Sequence, residues 1–95
     1  MARLHDESEA ERLLQRGLNE LGINEDDLHR LMKRDEKKCL IAWLIKKHTH
    51  VKNIWIADRL KMGNVATVSR GVKRIDELDH GDLRTLRDRM SEFKD

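Results

Sequence analysis

The sequence predicts an all-α domain of five or six helices, and three observations predict it. Apolar residues recur at intervals of three and four over most of the 95-residue chain, the period of a helix. Proline is absent. Hydrophobic residues make up 38% and charged residues 40% of the chain, a balance that suits short helices with wide polar faces. A chain of this length makes one domain, 1–95, and buries roughly 60–65% of its unfolded surface in one modest core. Neither a signal peptide nor a run of about 18 apolar residues is present, so the expected compartment is the cytoplasm.

Two N-terminal helices are expected over 8–33. Ser8, followed three residues later by Glu11, reads as a capping box opening a helix over 8–21. Leu13, Leu14, Leu18 and Leu21 form its buried stripe, and Gly22 is the stop. Asn24 caps a second helix of about two turns. Glu25, Asp26 and Asp27 follow in its first turn, where the helix dipole favours negative charge. Leu28, Leu31 and Met32 supply its apolar side. Asp35 caps the third helix, which carries seven consecutive apolar residues from Cys39 to Ile45. A run without polar interruption predicts a helix surrounded by others, the hub of the core, with Trp43 its largest member. Cys39 is the single cysteine, a buried thiol in a reducing compartment.

The stretch from Asn53 to Ile75 organises the rest. It reads as two short helices joined by a tight turn at Gly63. The first carries Ile56, Ala57 and Leu60, with Ala57 small where the helices cross. The second carries Val65, Val68, Val72 and Ile75 on one face and Thr67, Arg70, Lys73 and Arg74 on the other. A short turn before a helix with a basic outer face suits a helix-turn-helix. Its core is expected over 35–78, with the second helix continuing to Leu78. His80 and Gly81 end it, and a last helix over 82–93 places Leu83, Leu86, Met90 and Phe93 on one face. That stripe either joins the core, the favoured reading, or forms a dimer seam that sets two recognition helices one DNA turn apart.

Charge is distributed unevenly. The net charge is +2, yet residues 33–74 hold 12 basic and 3 acidic residues, between flanks of net −4 and −3. A basic middle between acidic ends points to a polyanion footprint on one face. Asn64, Ala66, Thr67 and Arg70 are the candidates for base contact. Asparagine can pair with adenine, Ala66 and Thr67 can meet a thymine methyl, and Arg70 can reach a guanine. Lys46, Lys47, His50, Lys52, Lys73 and Arg74 are the candidates for phosphate contact. The plainer alternatives are a solvated helix face and, for the lysines, complementation of a helix C-terminus. With aromatic residues only 3% of the chain, a duplex is a better partner than a single strand, which needs stacking platforms.

Catalysis finds no support. His48-Thr49-His50 has the spacing of the His-hydrophobe-His metal motif of rolling-circle and tyrosine-transposase nucleases. Its middle residue is threonine, however, and the chain holds no tyrosine to act as nucleophile. Asp58 is a weak third ligand. No enzyme activity, cofactor or metal is expected. A different class of function, a protein-interaction module docking through its C-terminal apolar stripe, is the alternative to DNA binding.

Residues 35–75 resemble the C-terminal helical region of bacterial REP-associated tyrosine transposases and transposase-like proteins. The resemblance is carried by the run from Lys38 to Ile45, by Thr49, by W-I-A at Trp55 to Ala57, by R-L-K-M-G at Arg59 to Gly63, and by Val68-Ser69. More distantly the stretch is similar to the Trp-repressor-like helix-turn-helix domain of the bacterial replication initiator. That likeness places base contacts on Asn64, Val65, Ala66 and Thr67. The initiator's arginine-aspartate-histidine signature is missing, so its target sequence does not carry over. The resemblance implies a non-catalytic, nucleoid-associated DNA-binding part of a transposase-like system, with a transposase or a second copy as partner. The chain is expected to be either a segment of a larger protein or a stand-alone relative.

Overall fold

The computed structural model describes residues 2–93, with side chains from residue 6 on. Six helices and no strand lie among them: α1 (Ala2–Leu21), α2 (Glu25–Arg30), α3 (Glu36–His48), α4 (Asn53–Arg59), α5 (Val65–Asp76) and α6 (Asp82–Met90). No helix among the described residues is long and apolar enough to cross a membrane. α3 is the hub. It packs against α1, α5 and α6, while α4 packs on α5. Every residue from Lys38 to Ile45 is buried, as an unbroken apolar run requires.

α1 begins earlier than its sequence suggests. Ser8 lies inside the helix, exposed, and caps nothing. The residues before it include alanine, leucine, arginine and glutamate, all good helix formers, so helix propagates backwards past the capping signal. Ala10, Leu13, Leu14 and Leu18 face the core. At the far end Gly22, at φ +71°, donates to the Asn19 carbonyl, and Ile23 donates to that of Leu18. These two bonds close a Schellman motif, and the left-handed residue it needs is the expected glycine.

α2 is capped as the sequence indicates. Asn24 accepts from the Asp27 amide at 2.8 Å and Asp27 returns the bond to the Asn24 amide at 3.2 Å. The expected apolar side is shorter than three residues. Leu28 is buried, Leu31 half-buried, and Met32 is 81% exposed. The helix ends at Arg30 and Leu31 turns extended, so the helical period that would have turned Met32 inward is lost.

Asp35 opens α3 by accepting from the Lys37 amide at 2.8 Å. Trp43 is buried and its Nε1 donates to Asp76 at 3.2 Å. At the C-terminus the buried Thr49 hydroxyl donates to the Ile45 carbonyl at 2.9 Å and closes the last turn.

Arg59 ties the two N-terminal helices to α4. Its guanidinium donates to Glu11 at 2.9 and 2.6 Å and to Glu25 at 2.9 Å. The bonds from Arg59 hold both carboxyls below the usual glutamate range. A depressed folded pKa means a contribution present above the unfolded value of about 4.3 and lost as pH falls through the folded one. Wild type should therefore exceed Arg59→Gln in urea midpoint at pH 7, and the gap should close as pH is taken to roughly 2.5. A gap that stays constant with pH would mean that the pair does not stabilise the fold through its charges.

α6 is shorter than expected, ending at Met90. Met90 is buried, and Leu83, Leu86 and Phe93 pack partly buried against the core. Its Arg87 has a role that spacing does not reveal. The guanidinium donates to the carbonyls of Ile75, Asp76 and Leu78 at 2.9, 3.2 and 2.8 Å, satisfying the open C-terminus of α5.

Candidate functional site

The turn between α4 and α5 is built by two residues, not one. Lys61 takes a left-handed conformation at φ +57° and Gly63 a second positive one at φ +97°. Met62 donates to the Ala57 carbonyl at 2.9 Å and Lys61 to that of Asp58 at 3.4 Å. Lys61 therefore fills the position of a Schellman motif that usually goes to glycine. What stabilises it lies 23 residues back in sequence. The fully buried Lys38 ammonium donates to the Lys61 carbonyl at 2.9 Å. Desolvation pushes Lys38 below the ordinary lysine pKa. Sequence reasoning places Lys38 only at the edge of an apolar run.

α5 is held from behind. Val68, Gly71 and Ile75 are buried and Val72 half-buried, whereas Val65 is 45% exposed. The expected stripe of four thus loses its first member, because the first turn of α5 projects beyond the surface that buries the rest. Gly71 takes its place on the inner face. A Cβ at Gly71 would stand 2.7 Å from Cys39 Sγ, so the Cys39 side chain of α3 packs directly against the bare backbone of α5. Ala57, the small residue expected where α4 and α5 cross, is buried as well. Cys39 is buried, and burial pushes its thiol above the ordinary value.

Held in this way, α5 turns Val65, Ala66, Ser69, Arg70, Lys73 and Arg74 to solvent. Between Val65 and Arg74 it carries three cations and no carboxylate. Arg70 and Lys73 have no ion-pair partner among the described residues, and Arg74 makes an exposed pair with Glu36 at 3.3 Å. At the start of the helix the Asn64 side-chain oxygen accepts from the Thr67 amide at 3.0 Å and from the Thr67 hydroxyl at 3.2 Å. Both of its lone pairs are used, leaving only the amide Nδ2 to donate outward. Bidentate pairing of Asn64 with adenine needs the oxygen as well, so this cap and that expected contact compete. Thr67 is half-buried, with its hydroxyl turned to Asn64.

The lysine-rich corner divides in two. Lys47 lies with Nζ 5.5 Å from the Trp43 ring centre, and Trp43 bonds Asp76 in the last turn of α5. This lysine therefore lies on the side of α3 that meets the last turn of α5. Lys46 instead folds back onto the Val51 carbonyl at 3.4 Å. His50 and Lys52 face the other way. With Val51, Ile54 and Trp55 they line a cleft of about 690 Å³ shared with Asp6, Glu7 and Asp58. Three carboxylates beside His50 and Lys52 weaken that half of the corner as a phosphate clamp.

His48, His50 and Asp58 do not form a metal centre. No group of three or more histidine, cysteine, aspartate or glutamate side chains able to hold an ion occurs among the described residues. His48 Nε2 is buried without a hydrogen-bond partner. Comparison with known proteins finds no family model, curated protein or solved structure that matches this chain.

Proposed function

We propose that this chain binds double-stranded DNA, with α4 and α5 acting as a Trp-repressor-like helix-turn-helix and α5 entering the major groove. One observation carries the reading. From Val65 to Arg74 the outward face of α5 holds Arg70, Lys73 and Arg74 and no carboxylate, with Asp76 only in its last turn, where Trp43 Nε1 bonds it, while the inner face is fixed to α3 at Gly71. A groove-reading helix needs that pairing of a rigid back and a free cationic front. The role is binding, not catalysis, in a bacterial transposase-like or regulatory setting, as the resemblance of residues 35–75 suggests.

What favours DNA over a protein partner on the C-terminal stripe is where the stripe goes. Met90 is buried and Leu83, Leu86 and Phe93 lie against the core, with the Arg16 guanidinium 4.3 Å from the Phe93 ring centre. Little apolar surface is left there to dock a partner.

The test is a titration of a random-sequence duplex across a salt series. Binding through about four to six cations should give a slope of log K against log salt of roughly −4 to −5. A slope near zero, or no binding at about 50 mM salt, would overturn the proposal.

A further inference from the structure

Three large apolar side chains stand exposed among the described residues, Met32, Ile54 and Val65. Only Val65 lies on the cationic face of α5. Along that face the chemistry grades by turns. Val65 and Ala66 come first, then Ser69 and Arg70, then Lys73 and Arg74. Contact with phosphates alone gives no reason for an aliphatic tip. A β-branched residue in the first turn costs helix propensity, and leaving it exposed forgoes the gain of burying it. The neighbouring polar side chain offers a base edge only its Nδ2 donor, because the Asn64 oxygen is filled by two bonds from Thr67. What the tip offers to a base edge is therefore a small aliphatic surface beside a positive field. In the major groove the one apolar group that a base pair presents is the thymine 5-methyl, and the flanking phosphates match Lys73 and Arg74.

We propose that α5 takes a thymine-bearing duplex site, with a thymine 5-methyl seated against Val65 and Ala66 and Arg70, one turn on, facing the adjacent base pairs. This rests on the duplex-binding reading above. It gives that reading a substrate class and moves the specificity from Asn64 to Val65.

Uracil tests it, since uracil in place of thymine removes only the methyl group. The full chain is used to select from random duplexes about 20 base pairs long, two turns of B-DNA. The sequences recovered are then made once with thymine and once with uracil. The expected result is a fixed thymine in the selected set and about fourfold tighter binding of the thymine form for each methyl contacted. Val65→Ser, an exposed substitution, should bring that ratio close to one without changing the salt slope. Equal affinity for the two forms overturns this inference and leaves duplex binding standing. A ratio that survives both Val65→Ser and Ala66→Gly overturns the assignment to the tip. Failure to bind any duplex overturns the duplex-binding reading, and this inference with it.

Discussion

Replacing Arg70 and Arg74 together by alanine should cut duplex affinity by roughly 10²–10³-fold, at about 1.4–2 kcal/mol for each charged contact. The salt slope should fall by about one, near 0.9 for the phosphate contact of Arg74, since Arg70 faces base edges. Far-UV circular dichroism and the melting curve should hardly move. Both side chains are exposed, Arg70 has no ion-pair partner among the described residues, and the Arg74–Glu36 pair is exposed on both sides, where such pairs contribute about 0–1 kcal/mol. The single variants should differ. Arg74 is shared with Glu36, so Arg70→Ala should cost the more. Glu36→Gln frees Arg74 and removes a like charge from the footprint, so it should raise affinity about two- to fivefold. A double variant that still binds tightly at about 0.1 M salt would remove α5 from the interface. Weaker binding by Glu36→Gln would place Arg74 elsewhere than on a phosphate.

The parts of this fold that could be read from sequence are those decided within one helical turn. Asn24 and Asp35 each cap the helix they precede, because the side chain and the amide it serves are two or three residues apart; the Asn64 cap is equally local, although its sequence points as readily to a base contact. Gly22 closes α1 for the same reason. The apolar run in α3 announced the hub, since no arrangement but full enclosure tolerates it. Ser8 and Glu11 show the limit of local reading. Their capping signal is sound by pattern, but the residues before it also favour helix, and Glu11 finds a better partner 48 positions away in Arg59. The same holds for Lys38 on the Lys61 carbonyl and Arg87 on the end of α5. Long flexible cations leave no periodic trace of what they will reach. At the candidate site the cationic face was legible as composition along a helix. The exposure of Val65 depends on where the surface of α3 and α4 ends, and no spacing within α5 carries that.

Gly71 has the largest expected effect on stability, and two terms of opposite sign decide it. In an exposed helix interior, alanine is better than glycine by about 1 kcal/mol. Here the added Cβ would meet Cys39 Sγ at 2.7 Å, Cys39 Cβ at 3.3 Å and Met62 Cε at 3.5 Å. The first distance forces a shift, and the thiol is enclosed, so it has little room to give. Overpacking of this kind costs about 1–3 kcal/mol. It should exceed the propensity gain, leaving Gly71→Ala destabilised by up to about 2 kcal/mol with a lower melting point. Gly71→Val adds two more methyl groups to the same seam and should lose about 3 kcal/mol or more, a large share of what a domain of this size has. Removing the obstacle makes the test specific. In a Cys39→Ala background the sulfur is gone, and Gly71→Ala should then be neutral or stabilising. The two substitutions should couple by about 1 kcal/mol or more in a double-mutant cycle of urea midpoints. Equal effects of Gly71→Ala in both backgrounds would mean that α3 and α5 do not meet at this residue. The orientation of α5, and with it the outward turn of Arg70 and Lys73, would then need another explanation.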